Sequence, residues 1–206
     1  MARDMVDYVS RKIKLYSVVF DSWYSDKKLI KKCMTKGIKV VCSIKANRTI
    51  SIEKGKWKLL SDFLKTISTR KMENYFIDEK KYKILSLIVK LNGIPHVKLI
   101  ICKEWDEEKK RWGGFVYFIS TDKQDTPVQI IRHYKIRWSI ETYHFDIKQN
   151  LGFAKAFFRK KEGIVRHAIF STLAYAILKL FMLCRGLVMT IGECIAYIQD
   201  KEMDDF

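Results

Sequence analysis

Four polar side chains recur at helical spacing within residues 134–150. They are Tyr134, Arg137, Glu141 and Lys148. If the segment is a single α-helix that turns by about 100° per residue, these side chains share an arc of roughly 60°. Carboxylates bind the hard ion Mg²⁺, arginine grips a phosphate with paired hydrogen bonds, and lysine contacts a phosphate as a point charge. The spacing therefore indicates chemistry on a phosphodiester, although a structural salt-bridge stripe on a partly buried helix explains it equally well.

Bulky apolar residues border this stripe. One side carries Trp138 and Phe145, and the other carries Ile136, Ile140, Ile147 and Leu151. Apolar residues on both sides of a polar arc predict a helix that is buried along both borders of that arc. We therefore expect the stripe to lie at the edge of a core, with Trp138 inside that core.

A further carboxylate, Asp21, stands at the end of a predicted strand. Residues 16–20 are apolar, "SDKKLIKKCMTKG" has the pattern of an amphipathic helix, and "IKVVCSIKAN" is rich in β-branched residues. Strand, helix and strand in this order predict a parallel pair in an α/β sheet, with the functional site at the carboxyl ends of the strands. Ser25 or Asp26 is expected to cap the helix, and Gly37 to end it.

A carboxylate on a helix can bind Mg²⁺ together with an aspartate at a strand end. Glu141 and Asp21 are the two candidates for such a site. Paired Mg²⁺ ions about 4 Å apart can activate water or a 3′-hydroxyl and stabilise an in-line displacement at phosphorus.

The middle and the end of the chain differ in the pattern of their apolar residues. Between residues 48 and 112, apolar runs and alternating patterns predict antiparallel strands, with Asn92-Gly93 as a hairpin turn. The remainder is predicted to be helical. Charged residues interrupt the apolar stretch 168–198, so it is predicted to form buried helices with breaks at Gly186 and Gly192 rather than a membrane span.

The composition is that of a folded, strongly basic protein. Apolar residues make up 48% of the chain, which excludes a disordered class, and the formal net charge is +17. Such an excess of positive charge favours a polyanionic partner, most simply nucleic acid.

The cysteines are widely spaced and predict reduced, mostly buried thiols: Cys33, Cys42, Cys102, Cys184 and Cys194. The histidines at positions 133, 144 and 167 lack metal-ligand spacing.

The candidate residues fit a known signature. Tyr134-x2-Arg137-x3-Glu141-x6-Lys148, with its "RW-x-IE" core, resembles the Y-R-E-K signature of bacterial insertion-sequence DDE transposases. The segment "VVFDSWYSDKKLIKK" resembles the part of that family that carries the second catalytic Asp. The resemblance implies that Asp21 and Glu141 are catalytic and bind the metal, and that the Tyr, the Arg and the Lys of the signature contact DNA. It also implies Mg²⁺-dependent cutting and joining of strands at insertion-sequence ends, with Mn²⁺ as an alternative ion.

The resemblance also implies a fold and its division. We expect an α/β fold, a partial ribonuclease H-like core with a β-rich insertion between the second Asp and the Glu, and a helical C-terminus. Residues 1–47 are expected to form the part of the core that carries the second catalytic Asp. Residues 48–118 are expected to form the insertion subdomain, and residues 119–206 the catalytic helix and the C-terminal helices.

The sequence departs from the family pattern at the first catalytic Asp. That residue is expected on an earlier strand, whereas Asp4 and Asp7 stand in a charged, helix-like stretch and are predicted to be surface charge. We therefore expect a truncated copy, the C-terminal part of a catalytic domain, which cleaves DNA poorly alone. The alternative is a catalytically inactive remnant that binds DNA or dimerises and so regulates an intact transposase.

The expected partners follow from the same resemblance. They are DNA, at the transposon ends and at the target, and a second protein copy, either in a homodimer or in association with an intact transposase. No membrane association is expected, and the expected location is the bacterial cytoplasm, at the nucleoid.

Two aromatic residues follow Asp21 almost directly. Trp23 and Tyr24 can stack on a flipped base. Packing beneath the edge of the sheet explains them as well, and the sequence leaves both alternatives open.

Overall fold

A computed structural model describes residues 2–53, 55–155 and 157–204, and it divides the chain into two units. The first unit is Met1–Arg137 and the second is Trp138–Phe206. The first contains a mixed sheet with helices, and the second contains helices. The predicted α/β class is confirmed.

The first unit is built around the sheet. Its strands are β1 Ser17–Phe20, β2 Lys39–Ser43, β3 Thr49–Ser51, β4 Lys58–Leu59, β5 Glu73–Ile77, β6 Lys80–Leu91, β7 Ile94–Asp106, β8 Arg111–Trp112 and β9 Val116–Ser120. The order across the sheet is β1-β2-β9-β7-β6-β3-β4, with β5 on β6 and β8 on β7. Strands β1 and β2 are parallel, and the other pairs are antiparallel. Within the described residues, β1 is therefore an edge strand.

Helices cover both faces of this sheet. They are α1 Ala2–Lys12, α2 Lys27–Thr35, α3 Leu60–Lys65 and α4 Pro127–Lys135, and a 3₁₀ turn spans Thr69–Lys71. One core joins α2 and α3 to one face through buried residues such as Ile30 and Leu60. A second core lies under α4, where Ile130 and Ile131 pack against the opposite face. In β1, β2, β7 and β9, alternating side chains contribute to the two cores, as the period of a strand requires.

The predicted strand, helix and strand around Asp21 are confirmed. Residues Ser17 to Phe20 pair in parallel register with Lys39 to Cys42. Asp26 is the N-cap of α2, and its carboxylate accepts hydrogen bonds from the amides of Lys28 and Leu29 at 3.1 and 3.3 Å. Gly37 follows the helix with a φ of 69°, a value that favours glycine.

The antiparallel strands of the middle segment are also confirmed. Strands β6 and β7 form a long hairpin whose turn is Asn92-Gly93, with Gly93 at a φ of 72°. The preceding hairpin of β5 and β6 has a two-residue turn, because Ile77 pairs with Lys80. Its turn residues Asp78 and Glu79 have φ values of 47° and 65°, which a type I′ turn requires.

The prediction that Asp7 is ordinary surface charge is wrong. Asp7 is half-buried on α1 and forms ion pairs with Lys32 and with Lys36 of α2, the latter at 3.3 Å. Hydrogen bonding from Lys32 lowers the pKa of the Asp7 carboxyl. The residue therefore holds α1 against α2, whereas Asp4 is exposed on the same helix.

The second unit consists of helices. They are α5 Trp138–Gln149, α6 Lys161–Arg185 and α7 Ile191–Asp204, with a 3₁₀ turn at Phe153–Lys155. A small core joins α6 and α7 through Met182, Ile191 and Cys194. Gly186 ends α6 in the left-handed conformation as predicted, with a φ of 64°. The break predicted at Gly192 is wrong, because that residue lies in the first turn of α7.

The prediction of buried C-terminal helices is wrong for α6. This helix is long and apolar enough to cross a membrane by length and composition alone, yet only 11% of its most apolar 18-residue window is buried. Its exposed apolar residues repeat at intervals of seven: Ile169 and Ala176 with Leu183, Phe170 with Ile177, and Leu173 with Leu180. An uncovered stripe with this period resembles the seam of a coiled coil.

The prediction that residues 134–150 form one helix is wrong. Helix α4 ends at Lys135 and α5 begins at Trp138. The amides of Ile136 and Arg137 bond to carbonyls three residues earlier, at 3.2 and 3.0 Å. These two bonds form a tight turn between the helices.

The burial predicted along the borders of that arc is confirmed for Ile147 but wrong for Trp138, Phe145, Ile136 and Ile140. Trp138 is 63% exposed and Phe145 is 61% exposed. On α5 the buried side chains among the described residues are Asp146 and Ile147. Trp138 is therefore not a core residue.

Candidate active site

Asp21 lies at the carboxyl edge of the parallel pair. It directly follows Phe20, whose partner in the register is Cys42, so its neighbour on β2 is Ser43. The side chain is half-buried, and its Oδ1 accepts a hydrogen bond from the Trp23 amide at 2.9 Å. This bond fixes the carboxylate at the strand end, where parallel strands place functional groups.

Tyr134 is brought to the same edge by α4. Its hydroxyl donates a hydrogen bond to Oγ of Ser43 at 3.0 Å, and its ring packs 4.5 Å from the ring of Phe118. The half-buried tyrosine is therefore held on the strand next to the one that carries Asp21. The contact joins residues that are 91 positions apart in the chain.

Arg137 lies beside this tyrosine. The Cζ of its guanidinium is 5.6 Å from the centroid of the Tyr134 ring, within the range of a cation–π interaction. Stacking on an aromatic ring suits the planar guanidinium and leaves its edge directed at other groups. The first unit thus brings Asp21, Tyr134 and Arg137 to one end of the sheet.

Ion pairs fix the last turn of α4. Asp78, in the turn between β5 and β6, accepts from Nε of Arg132 at 3.1 Å and from Nζ of Lys135 at 3.0 Å. Hydrogen bonding from Lys135 and Arg132 lowers the pKa of the Asp78 carboxyl. The residue therefore holds the turn of helix that carries Tyr134.

A buried polar network fixes the first turn of α4. Asp125, which is 5% exposed, pairs with Lys39 at 2.6 Å and accepts a hydrogen bond from Ser120 at 2.6 Å. Thr126 follows as the N-cap and forms a capping box with Gln129. Both ends of α4 are therefore tied to the sheet, so the helix holds Tyr134 in place.

Glu141 and Lys148 lie on α5, in the second unit. They are seven residues apart, which places them on the same face of that helix, and both are exposed. The approach of Glu141 to Asp21 stays a prediction, as do the roles assigned to Asp21 and to the four signature residues.

The described residues provide only part of the ligand set that a metal site needs. Among the described residues, no group of three or more His, Cys, Asp or Glu side chains is positioned to hold a metal ion. The oxygen ligands of Asp21 and Glu141 nevertheless suit a hard divalent cation.

Three residues that organise this site were not predicted from the sequence. Ser43 bonds to Tyr134, Asp78 holds the end of α4, and Arg48 donates to the carbonyl of Ser25 and, at 3.1 Å, to its Oγ. Each partner lies at least 23 positions away along the chain. For Ser43 a weak signal was present, because a polar residue ends an otherwise apolar strand.

The five cysteines are free thiols. Cys184 is exposed, and the other four are buried. Burial raises the pKa of Cys33, of Cys42 and, to about 12, of Cys102.

The comparison with known families agrees with this architecture. The chain matches the family described as "Transposase DDE domain" over residues 1–177. The match covers most of its 206 residues, and the chain therefore belongs to the DDE transposase domain family. A search of curated proteins returned no match. Transposases move DNA segments by recombination, and this family generally uses a divalent metal.

Proposed function

We propose that the chain belongs to the Y-R-E-K group of bacterial insertion-sequence transposases and takes part in cutting and joining DNA at the ends of its element. The observation that carries the proposal is the meeting of Asp21, Tyr134 and Arg137 at the carboxyl edge of β1 and β2. A fixed carboxylate, a hydroxyl and a guanidinium at one sheet edge suit the binding and cleavage of a phosphodiester.

The roles follow from the chemistry of each side chain. Asp21 and Glu141 are the catalytic carboxylates. Arg137 grips a non-bridging pair of phosphate oxygens, and Lys148 contacts a neighbouring phosphate of the same strand. Tyr134 holds Arg137 through its ring and donates its hydroxyl at the strand end. Together these residues orient the scissile phosphate, and orientation supplies a large part of the rate in such reactions.

Asp21 and Glu141 would hold the divalent cation, Mg²⁺ or alternatively Mn²⁺. When bound, the ion polarises the phosphate and activates the attacking oxygen. Two carboxylates are a sparse ligand set for this task, and a third is expected from the family pattern. Neither Asp4 nor Asp7 suits that role, because both lie on α1 and Asp7 is already paired with lysines.

We propose that the third carboxylate comes from a strand that pairs with the open edge of β1. The core would then be ribonuclease H-like, with residues 1–47 as the part that carries Asp21, residues 48–118 as a β-rich insertion, and residues 119–206 as the helical part that carries Glu141. The parallel β1 and β2 and the antiparallel strands that follow them support this division.

The alternative is a catalytically inactive remnant that binds DNA or dimerises. The two-carboxylate donor set favours it for the chain on its own. The net charge of +17 supports DNA as a partner in both cases, and with it a cytoplasmic location at the nucleoid.

We further propose that two copies pair through the exposed stripe of α6. Its seven-residue period matches the knobs and holes of a second identical helix, and covering it would remove several large apolar side chains from water. The same stripe would serve in a homodimer or in association with an intact transposase.

The shared metal site can be tested on the chain itself. Fe²⁺ occupies oxygen-ligand sites of this kind and, with ascorbate and peroxide, cuts the backbone close to where it binds. We expect cuts near both Asp21 and Glu141, and we expect Glu141→Gln to suppress both sets. Glu162→Gln and Asp122→Asn are matched controls, and Asp122 resembles Asp21 because its Oδ1 also accepts an amide two residues on. Cuts near one carboxylate alone would refute the shared site.

Activity is tested in a longer protein. The chain fused in frame to an upstream strand with an Asp should nick DNA that carries the inverted repeats of its own element. Changing Glu141 to Gln should abolish that nicking, and the 206-residue chain should nick poorly. Efficient Glu141-dependent cleavage by the 206-residue chain would refute the need for a third carboxylate from a further strand.

A further inference from the structure

Two lysines stand directly opposite each other in the long hairpin of β6 and β7. Lys83 and Lys103 are partners in the antiparallel register, and the partner of Lys83 on its other side is the uncharged Asn74 of β5. Like charges that face each other across a strand pair repel and destabilise the sheet. The pair therefore weakens the hairpin unless an anion binds to the two ammonium groups.

Carboxylates neutralise other lysines close by, but not these two. Three ion pairs lie at this end of the hairpin: Lys80 with Glu104, Lys81 with Glu107 and Lys109 with Asp106. Within the described residues, neither Lys83 nor Lys103 forms such a pair. Glu104 is adjacent in sequence but is engaged on the opposite face, where it accepts a hydrogen bond from the hydroxyl of Tyr82 at 2.9 Å.

Both lysines extend the face of the sheet that packs against α2 and α3. Lys83 precedes Leu85 by two residues and Lys103 follows Ile101 by two, and both of these apolar residues belong to the first core. Because side chains alternate along a strand, the lysines lie on the same face, just beyond that core. Both are half-buried, so less water surrounds their charges than at an exposed position.

Aromatic rings hold the two ammonium groups in place. Nζ of Lys83 lies 4.9 Å from the ring centroid of Trp112, and Nζ of Lys103 lies 4.5 Å from that of Phe115. A cation–π contact attracts the cation but leaves its positive charge in place. Methylene groups alone are enough to cover a ring, so packing does not require two facing charges. Side chains that are already held lose less entropy when they bind an anion.

The pair lies at the same end of the sheet as Asp21. A row of paired residues runs from Ser43 through Phe118 to Ile100, and Lys103 follows Ile100 by three residues. With strands about 4.8 Å apart and a rise of about 3.4 Å per residue, the backbone at Lys103 is about 18 Å from that at Asp21. Duplex DNA covers this distance in about five base pairs, so one duplex can reach both places.

We infer that Lys83 and Lys103 form a phosphate-binding site for the backbone of duplex DNA. Backbone phosphates neutralise the two facing charges, and the ammonium groups contact them as point charges, so the site is independent of base sequence. The net charge of +17 favours the same class of partner. That this duplex is the one received at Asp21 rests on the proposed function, whereas the phosphate site itself does not.

The salt dependence of duplex binding tests the site. The 206-residue chain is titrated into fluorescein-labelled blunt duplex DNA at a series of salt concentrations, and binding is followed by anisotropy. Lys83→Gln and Lys103→Gln should each lower the slope of log K against log salt by about one unit, and the double variant by about two. Lys83→Arg with Lys103→Arg should preserve the slope.

A matched control removes two lysines from the same end of the hairpin. Lys80→Gln with Lys109→Gln should leave the slope unchanged, because carboxylates already neutralise these lysines. Acetylation of the natural chain, read by mass spectrometry, gives a second measurement that needs no variant. Duplex DNA should protect Lys83 and Lys103 from an N-hydroxysuccinimide ester and leave the reactivity of Lys80 and Lys109 unchanged.

Three results would overturn the inference. They are an unchanged slope in the double variant, equal protection of all four lysines by DNA, and protection of Lys83 and Lys103 by polyglutamate but not by duplex DNA. The last result would assign the pair to an acidic protein. The outcome is separable from that of the proposed function, since binding is measured without cleavage. A slope that falls by two units in a protein that never cleaves would leave the phosphate site standing.

Discussion

The hydroxyl of Tyr134 donates to Oγ of Ser43 at 3.0 Å and so ties helix α4 to the carboxyl end of β2. The bond joins a residue of the signature to the strand beside Asp21, and it explains why a tyrosine rather than a phenylalanine suits this position. We expect a double-mutant cycle of Tyr134→Phe and Ser43→Ala to give a coupling free energy of about 1 kcal/mol in urea unfolding. Additive effects of the two changes would show that the bond contributes nothing.

Neutralising the cations of the signature should weaken DNA binding in a salt-dependent way. Arg137→Ala and Lys148→Ala should each lower the slope of log K against log salt by about one unit, because each removes one phosphate contact. Lys65→Ala is the control, since this lysine already pairs with Asp62 on α3 at 2.8 Å. Unchanged slopes for both signature variants would support a purely structural role for these side chains.

The ion pairs of Asp78 should make stability depend on acid pH. Hydrogen bonding lowers the folded-state pKa of this carboxyl below its ordinary value of 3.8. A group whose folded pKa is lowered stabilises the protein above its unfolded pKa, and this contribution disappears as the pH falls through the folded pKa. Asp78→Asn should therefore reduce the midpoint of thermal unfolding at neutral pH, and its difference from the natural chain should shrink below about pH 4. A difference that does not vary with pH would contradict the ion-pair explanation.

If two copies pair through α6, charged residues placed in the apolar stripe should disrupt the dimer. The natural chain should sediment as a dimer at micromolar concentration, and the double variant Leu173→Lys with Ile177→Lys should be monomeric, because it places charge in the apolar seam. Glu162→Lys adds a lysine to the same helix outside the stripe and should leave the dimer intact. Partition of the natural chain into phosphatidylcholine vesicles, lost in the double variant, would instead assign the stripe to a membrane.

The thiols provide an independent check of the two cores. Cys184 should react quickly with a disulfide reagent in the folded protein, since it is exposed. Cys42 and Cys102 should react only on unfolding, because they are buried and burial raises the pKa of each thiol. Fast labelling of Cys42 in Cys184→Ser would contradict the packing of β2.

Local features of the sequence predicted the elements around Asp21 well. The strand, the capped helix and the parallel strand have signals within a few residues: an apolar run, β-branched residues, an N-cap at Ser25 or Asp26, and a glycine at position 37. The hairpin turn at Asn92-Gly93 also has a clear local signal in the sequence. These elements depend on neighbouring residues, so a single sequence is enough to find them.

The break in the helix that carries the signature was mispredicted because the sequence carries no local signal for it. Nothing between Tyr134 and Trp138 is a proline or a glycine, so the periodicity continues through the break. The last turn of α4 bonds to Ser43 and Asp78, which lie outside the helix and far away in the sequence. The exposure of Trp138 and of α6 was missed for a related reason. Apolar residues predict a surface that becomes buried, but they do not show whether the same chain or a partner buries it.

The turn at Asp78 and Glu79 is a point of local frustration. Two non-glycine residues with positive φ make a poorer hairpin than Asn-Gly would, so the short-range preference of the segment opposes its conformation. The Asp78 carboxylate offsets this unfavourable local preference, because it forms ion pairs with Arg132 and Lys135 at the end of α4. A change to Asn-Gly that improved the hairpin would therefore loosen the helix that presents Tyr134. At this turn, a substitution chosen for stability alone would work against the site.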